Sequence, residues 1–96
     1  MAPWAPAAHT GAETEELRKA ASFARRLRQL AARLRHCESG AASQRHLDNT
    51  RDLWAACCRD AQAGMAVHAA GGHWQPEVWP TADQAAELAN SAEATE

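Results

Sequence analysis

Alanine supplies 25 of the 44 apolar residues in this chain of 96, and that limits its fold more than any motif does. The other apolar residues are seven Leu, four Trp, three Cys, two Val, two Met and one Phe, with no Ile and no Tyr. Strands favour β-branched and aromatic side chains, so this composition argues against a β-rich fold. It also argues against a thick core and an elaborate buried active site. The length allows one domain. A buried CH₂ contributes roughly 0.8 kcal/mol, and a chain of this size buries only about 60–65% of the surface its unfolded form exposes. Such a monomer is marginal, and a partner or self-association is the expected remedy.

The apolar residues nonetheless repeat with helical periodicity. Over residues 14–38, Leu17, Ala20, Ala24, Leu27, Ala31 and Leu34 recur at alternating steps of three and four, with Phe23 and Leu30 beside them. This is the stripe of an amphipathic helix. Glu13, Glu15 and Glu16 stand at its start and Arg33, Arg35 and His36 at its end, the polarity that a helix dipole favours. Gly40 is placed to take the left-handed position that ends a helix, and Ser43 to cap the next one.

A second helix is expected over residues 43–69. Leu47, Thr50, Trp54, Cys57, Cys58, Ala61 and Met65 share one arc, with Leu53 and Gly64 at its edge, and Arg45, Asp48, Asp52, Arg59 and Gln62 lie opposite. Gly71-Gly72 stops it. Pro76 and Pro80 exclude a helix interior in the HWQPEVWP segment. Thr81 and Gln84 then form a capping box for a short third helix, Ala82 to about Ala94, whose thin apolar side is Ala85, Leu88, Ala89 and Ala92. Trp74 and Trp79 are expected to pin this segment to the hairpin.

The expected fold class is therefore all-α: a long antiparallel helical hairpin plus a short C-terminal helix, with the hairpin pairing with a second copy in a four-helix bundle. Residues 1–12, with Pro3, Pro6 and Gly11 among alanines and a lone Trp4, read as a disordered arm. Residues 13–70 form the hairpin and residues 71–96 the Trp/Pro linker with its acidic helix. Both hairpin helices run too long for the steep crossing of a DNA-reading helix-turn-helix. The Glu38-Ser39-Gly40-Ala41 turn also lacks the Trp-x-Gly signature of small secreted helical-hairpin proteins.

Charge is where a functional surface shows. The net charge is −2, yet residues 1–36 carry seven cations and three anions, and residues 69–96 carry five anions and no cation. Arg18, Lys19, Arg25, Arg26, Arg28 and Arg33 fall opposite the Leu/Ala stripe of the first helix. Acidic protein surfaces respond to such a ridge through steering, and phosphate backbones through counterion release. The chain's own Glu77, Asp83, Glu87, Glu93 and Glu96 could neutralise it in cis. No aromatic residue interleaves the ridge to stack bases. An acidic protein partner is the leading expectation, and a nucleic-acid accessory role on the same face is the alternative.

The remaining chemistry is sparse. His36 and Cys37 end the first helix and His46 begins the second, so a metal site at that end is geometrically open, but the spacing matches no zinc pattern. Cys57 and Cys58 face the apolar arc in mid-helix, where neither a cation nor a helix N-terminus activates a thiol. An odd cysteine count gives no disulfide framework, and a metal or thiol-redox module stands as a second alternative. No phosphate loop, nucleophile elbow or cofactor motif occurs, so the expectation is non-enzymatic. With no signal-peptide pattern and no long apolar run, the expected location is cytoplasmic, away from membranes.

Overall fold

The computed structural model describes the backbone of residues 11–65 and 73–93, and side chains over 15–64 and 73–93. Three α-helices carry the fold: α1 (Gly11–Glu38), α2 (Gln44–Asp60) and α3 (Ala82–Glu93). No strand occurs among the described residues. The all-α hairpin with a short third helix is thus the architecture observed. The readings placed on Trp4, Met65, Gly71-Gly72 and Glu96 lie outside the described side chains or residues.

Short-range chemistry sets most of the helix ends. Gly40 adopts φ +82°, the left-handed conformation expected of it. The Ser39 N–H donates back to the Arg35 and His36 carbonyls, and the Gly40 N–H to that of Cys37. Ser43 caps α2 by accepting from the His46 N–H at 3.1 Å. Thr81 and Gln84 form the reciprocal box: the Gln84 N–H donates to Thr81 Oγ1 at 3.1 Å, and the Thr81 N–H to Gln84 Oε1 at 2.9 Å. The end of α2 departs from expectation. The α-helix gives way after Asp60 to a widened turn, Ala61–Met65, in which Gly64 takes φ +98°, and the expected continuation to residue 69 lies outside the described residues. A residue without Cβ enters that region freely, so Gly64, expected at the edge of the stripe, instead kinks the helical path.

Long-range pairs fix the directions. His46 meets Arg33, Thr50 lies by Cys37, and Asp60 pairs with Arg26, so α2 runs antiparallel to α1. Ala82 meets Glu38 and Glu93 pairs with Arg28, so α3 is also antiparallel to α1, on its other flank. The core joins Phe23, Ala24, Leu27, Leu30, Ala31 and Leu34 of α1 to Trp54, Cys57 and Cys58 of α2 and to Ala82, Ala85, Ala89 and Ala92 of α3. Leu53 and Leu88 are half-buried at its edge. Along α3 the small residues are buried and the one large apolar residue is peripheral, because four alanines let two helix backbones approach toward the short end of the ~8–10 Å range of interaxial distance. Leu17, expected in the stripe, is 42% exposed. With Asp60 opposite Arg26 and Glu93 opposite Arg28, the first turns of α1 project past the ends of both partners.

Three aromatic rings anchor the linker. Trp54 stacks on Trp74 (centroids 5.5 Å, interplanar angle 29°), and Trp74 lies 5.6 Å from Phe23. The buried Trp54 indole N–H donates to the Gln75 carbonyl at 3.0 Å and the Val78 carbonyl at 3.2 Å. Those carbonyls bound a turn closed by the Val78 N–H on the Gln75 carbonyl, with Pro76 at its second position. Trp74 and Trp79 are half-buried against the core, as expected of a pair that pins the segment.

One cap crosses between elements. Glu38 Oε2 accepts from the Ala82 N–H at 2.8 Å, so the last residue of α1 satisfies the first turn of α3. Glu38→Ala should cost about 0.5–2 kcal/mol of local stability, the range for a lost cap. It should speed amide exchange at Ala82 more than at Trp54. Equal exchange at Ala82 in both proteins would remove this contact from the account.

Candidate interaction face

The six cations of the ridge end in four different environments. Arg26 is half-buried and pairs with Asp60 at the end of α2. Arg28 turns to the other flank, where it pairs with Glu93 and lies 3.5 Å from Asn90 Oδ1. Arg18 pairs within its own helix, 2.7 Å from Glu15. Arg25 and Lys19 are exposed, Arg33 is half-buried, and none of these three has an ion pair among the described residues. Arg35, which the ridge did not include, stands 3.6 Å from Asp83.

The ridge is therefore not the uniform outward arc read from periodicity. Docking of α2 and α3 rotates its edges into two seams and leaves one outward stripe. Neutralisation by the acidic C-terminal segment is real but partial: Glu93 and Asp83 reach α1, on Arg28 and Arg35. The role of Asp60 was missed, since α2 had its charges assigned to the outer arc and Asp60 to neither side. Glu93 is held below the ordinary carboxylate range, first by the hydrogen bond from Arg28, with the charges of Arg28 and Arg25 adding to it against desolvation. That places Arg25 close enough to the α1–α3 seam for its charge to act there. The same hydrogen bond raises the pKa of Arg28.

At the turn end, His36 and His46 come together edge to face, with ring centroids 4.6 Å apart. The His46 Nε2–H donates to the Arg33 carbonyl at 3.1 Å, which anchors the ring to α1. Cys37 points elsewhere: its thiol lies 3.8 Å from Thr50 Oγ1, whose hydroxyl donates to the His46 carbonyl at 2.8 Å. His36, Cys37 and His46 do not converge. Among the described residues no group of three His, Cys, Asp or Glu side chains is placed to hold a metal ion.

Cys57 and Cys58 are buried and free. Burial pushes the Cys57 thiol up to about 12 despite Arg26, and the Cys58 thiol up to about 11, with Glu77 adding to it. Since the thiolate is the reactive form, a disulfide-exchange reagent should label half-buried Cys37 first and Cys57 last. Rapid labelling of all three in the folded protein would contradict this burial. The linkage has one sign. These thiols ionise in the unfolded chain first, so their contribution to stability is complete at neutral pH and is lost as pH rises from about 8.5 toward 12.

No helix of the described residues is long and apolar enough to cross a membrane. The chain matches no protein-family model, no curated protein and no solved structure.

Proposed function

We propose that this chain is a small, non-enzymatic interaction or regulatory protein of the cytoplasm that contacts an acidic protein through the outward side of α1. The supporting observation is the division of cations just described. Asp60, Glu93 and Asp83 engage Arg26, Arg28 and Arg35 at the seams, while Arg25 stands exposed between them with no ion pair among the described residues. Carboxylates on both shoulders favour a protein surface of mixed charge. They repel the continuous anionic rod of a duplex, since exposed charges act over a screening length of about 8 Å at physiological ionic strength.

Of Arg25, Arg26 and Arg33, the ridge cations that the sequence favours for the contact, Arg25 and Arg33 are retained, with Arg18 and Lys19 beside them. Arg26 is unsuited to charge reversal because that would set two carboxylates against each other at the α2 seam. The test is titration of the whole chain with polyglutamate and with random duplex DNA at about 50 mM and about 200 mM salt. Polyglutamate binding that Arg25→Glu weakens about tenfold supports the reading. Tighter binding to duplex with a steep salt dependence transfers the face to phosphates, and binding to neither overturns both. Glu93→Gln should release Arg28 and tighten polyglutamate binding by about two- to fivefold, the modest effect of one exposed ion pair. Truncation at residue 77 is a poor substitute, because it also removes the four buried alanines of α3.

A further inference from the structure

The geometry points to one kind of occupant for the open side of α1: an acidic α-helix of a partner protein, carrying carboxylates two turns apart on one face. This rests on the acidic-partner reading above and adds to it the shape and register of the ligand. The warrant is what the chain does with the other two sides of the same helix. On one flank α2 lies antiparallel and delivers Asp60 to Arg26. On the other, α3 lies antiparallel, presents alanines to the backbone of α1, and delivers Glu93 to Arg28 and Asp83 to Arg35. Arg28 and Arg35 are seven residues apart, two helical turns, or about 10.5 Å along the axis.

The third side repeats that pattern without an occupant among the described residues. Arg18, Ser22, Arg25, Gln29 and Ala32 recur at steps of four and three, the spacing of a straight track along a helix, which ends where His36 packs against His46. All are exposed except half-buried Ser22. Arg18 and Arg25 are again seven apart. The residues between and beyond them are Ser22, Gln29 and Ala32, small or polar, so a second backbone can come close and find donors. No large apolar side chain lies on the track. A ligand is therefore held by charge and hydrogen bonds, and its affinity falls with salt. The Arg18–Glu15 pair does not close the site. It is exposed and local, a kind of pair that contributes little, and opens readily.

The probe is an alanine-based helical peptide of about 20 residues with two glutamates at i and i+7. It is compared with a peptide of the same composition whose glutamates stand at i and i+9, on opposite faces. Each carries a fluorophore and is titrated with the full chain at about 50 mM salt. We expect the same-face peptide to bind at least about fivefold tighter, one extra ion pair's worth. Arg25→Glu should weaken it about tenfold or more, while Arg45→Glu, on the exposed side of α2, should leave it unchanged. Circular dichroism of both variants confirms that the helices persist. Equal binding of the two peptides overturns the helical occupant and leaves the acidic-partner reading standing, provided polyglutamate still binds. Failure of both peptides and of polyglutamate overturns the two together. A same-face preference that survives Arg25→Glu overturns the assignment to this track. A dimer that dissociates on Arg25→Glu gives the track to a second copy and overturns the partner helix.

Discussion

Replacing Trp54 by alanine should destabilise the fold by about 3–5 kcal/mol, enough to unfold most of a chain this small at room temperature. Trp54 is the largest fully buried side chain among the described residues. Its removal takes away the ring on which Trp74 stacks and the N–H that holds the Gln75 and Val78 carbonyls. Neither loss can be absorbed locally, because a core relaxes only partially around a deleted ring and leaves a cavity. Urea denaturation followed by circular dichroism measures the effect. Trp54→Phe separates its two parts. The phenyl ring retains much of the apolar area but leaves both carbonyls without the indole, so about 1–3 kcal/mol should remain. A loss below about 1 kcal/mol for Trp54→Ala would mean that the linker is held by something else.

The second large effect comes from making a residue bigger. Ala89 is fully buried where α3 meets α1, and leucine there should cost about 1–3 kcal/mol through overpacking. The damage should be local. Helix α3 would be pushed away from α1, its amides would exchange rapidly, and Arg28 would lose Glu93. The hairpin, with its Trp54 anchor, would persist at lower stability. Leu88→Ala, one residue away and half-buried at the edge, should cost less than Ala89→Leu, an inversion of the usual large-to-small order. If Ala89→Leu were neutral or stabilising, the close approach of the two helices would be wrong.

These two residues also show how much of the fold was legible in the sequence. Period and capping are local, so the stripe of α1, the left-handed Gly40, the Ser43 cap and the Thr81/Gln84 box could all be read from neighbours in the chain. The role of Trp74 and Trp79 followed from their position beside two prolines that bar a helix. What was not legible depended on where elements meet. Leu17 belongs to the stripe by period, but whether it is covered depends on where α2 and α3 end. Gly64 sits on the edge of the α2 stripe by period, and nothing local says that the helix kinks there. The candidate face has the same split. All six cations of the ridge were identified by helical angle. Yet Arg26 and Arg28 could not be told from Arg25 until the docking of Asp60 and Glu93 turned them into seams. Long charged side chains reach a neighbour's carboxylate across a helix edge, so exposure by angle overcounts the free cations.

The central claim is that α1 has two sides closed by the chain's own carboxylates and one side open to an acidic partner. The most direct test is nuclear magnetic resonance of the labelled chain as an acidic polypeptide is added. The account predicts that the largest shifts fall along Arg18, Ser22, Arg25, Gln29 and Ala32, including the Arg25 side-chain N–H, with little change at Arg26. Shifts centred instead on Arg45, Arg51 and Arg59 of α2, or shifts that report the release of α3 from α1, would contradict it.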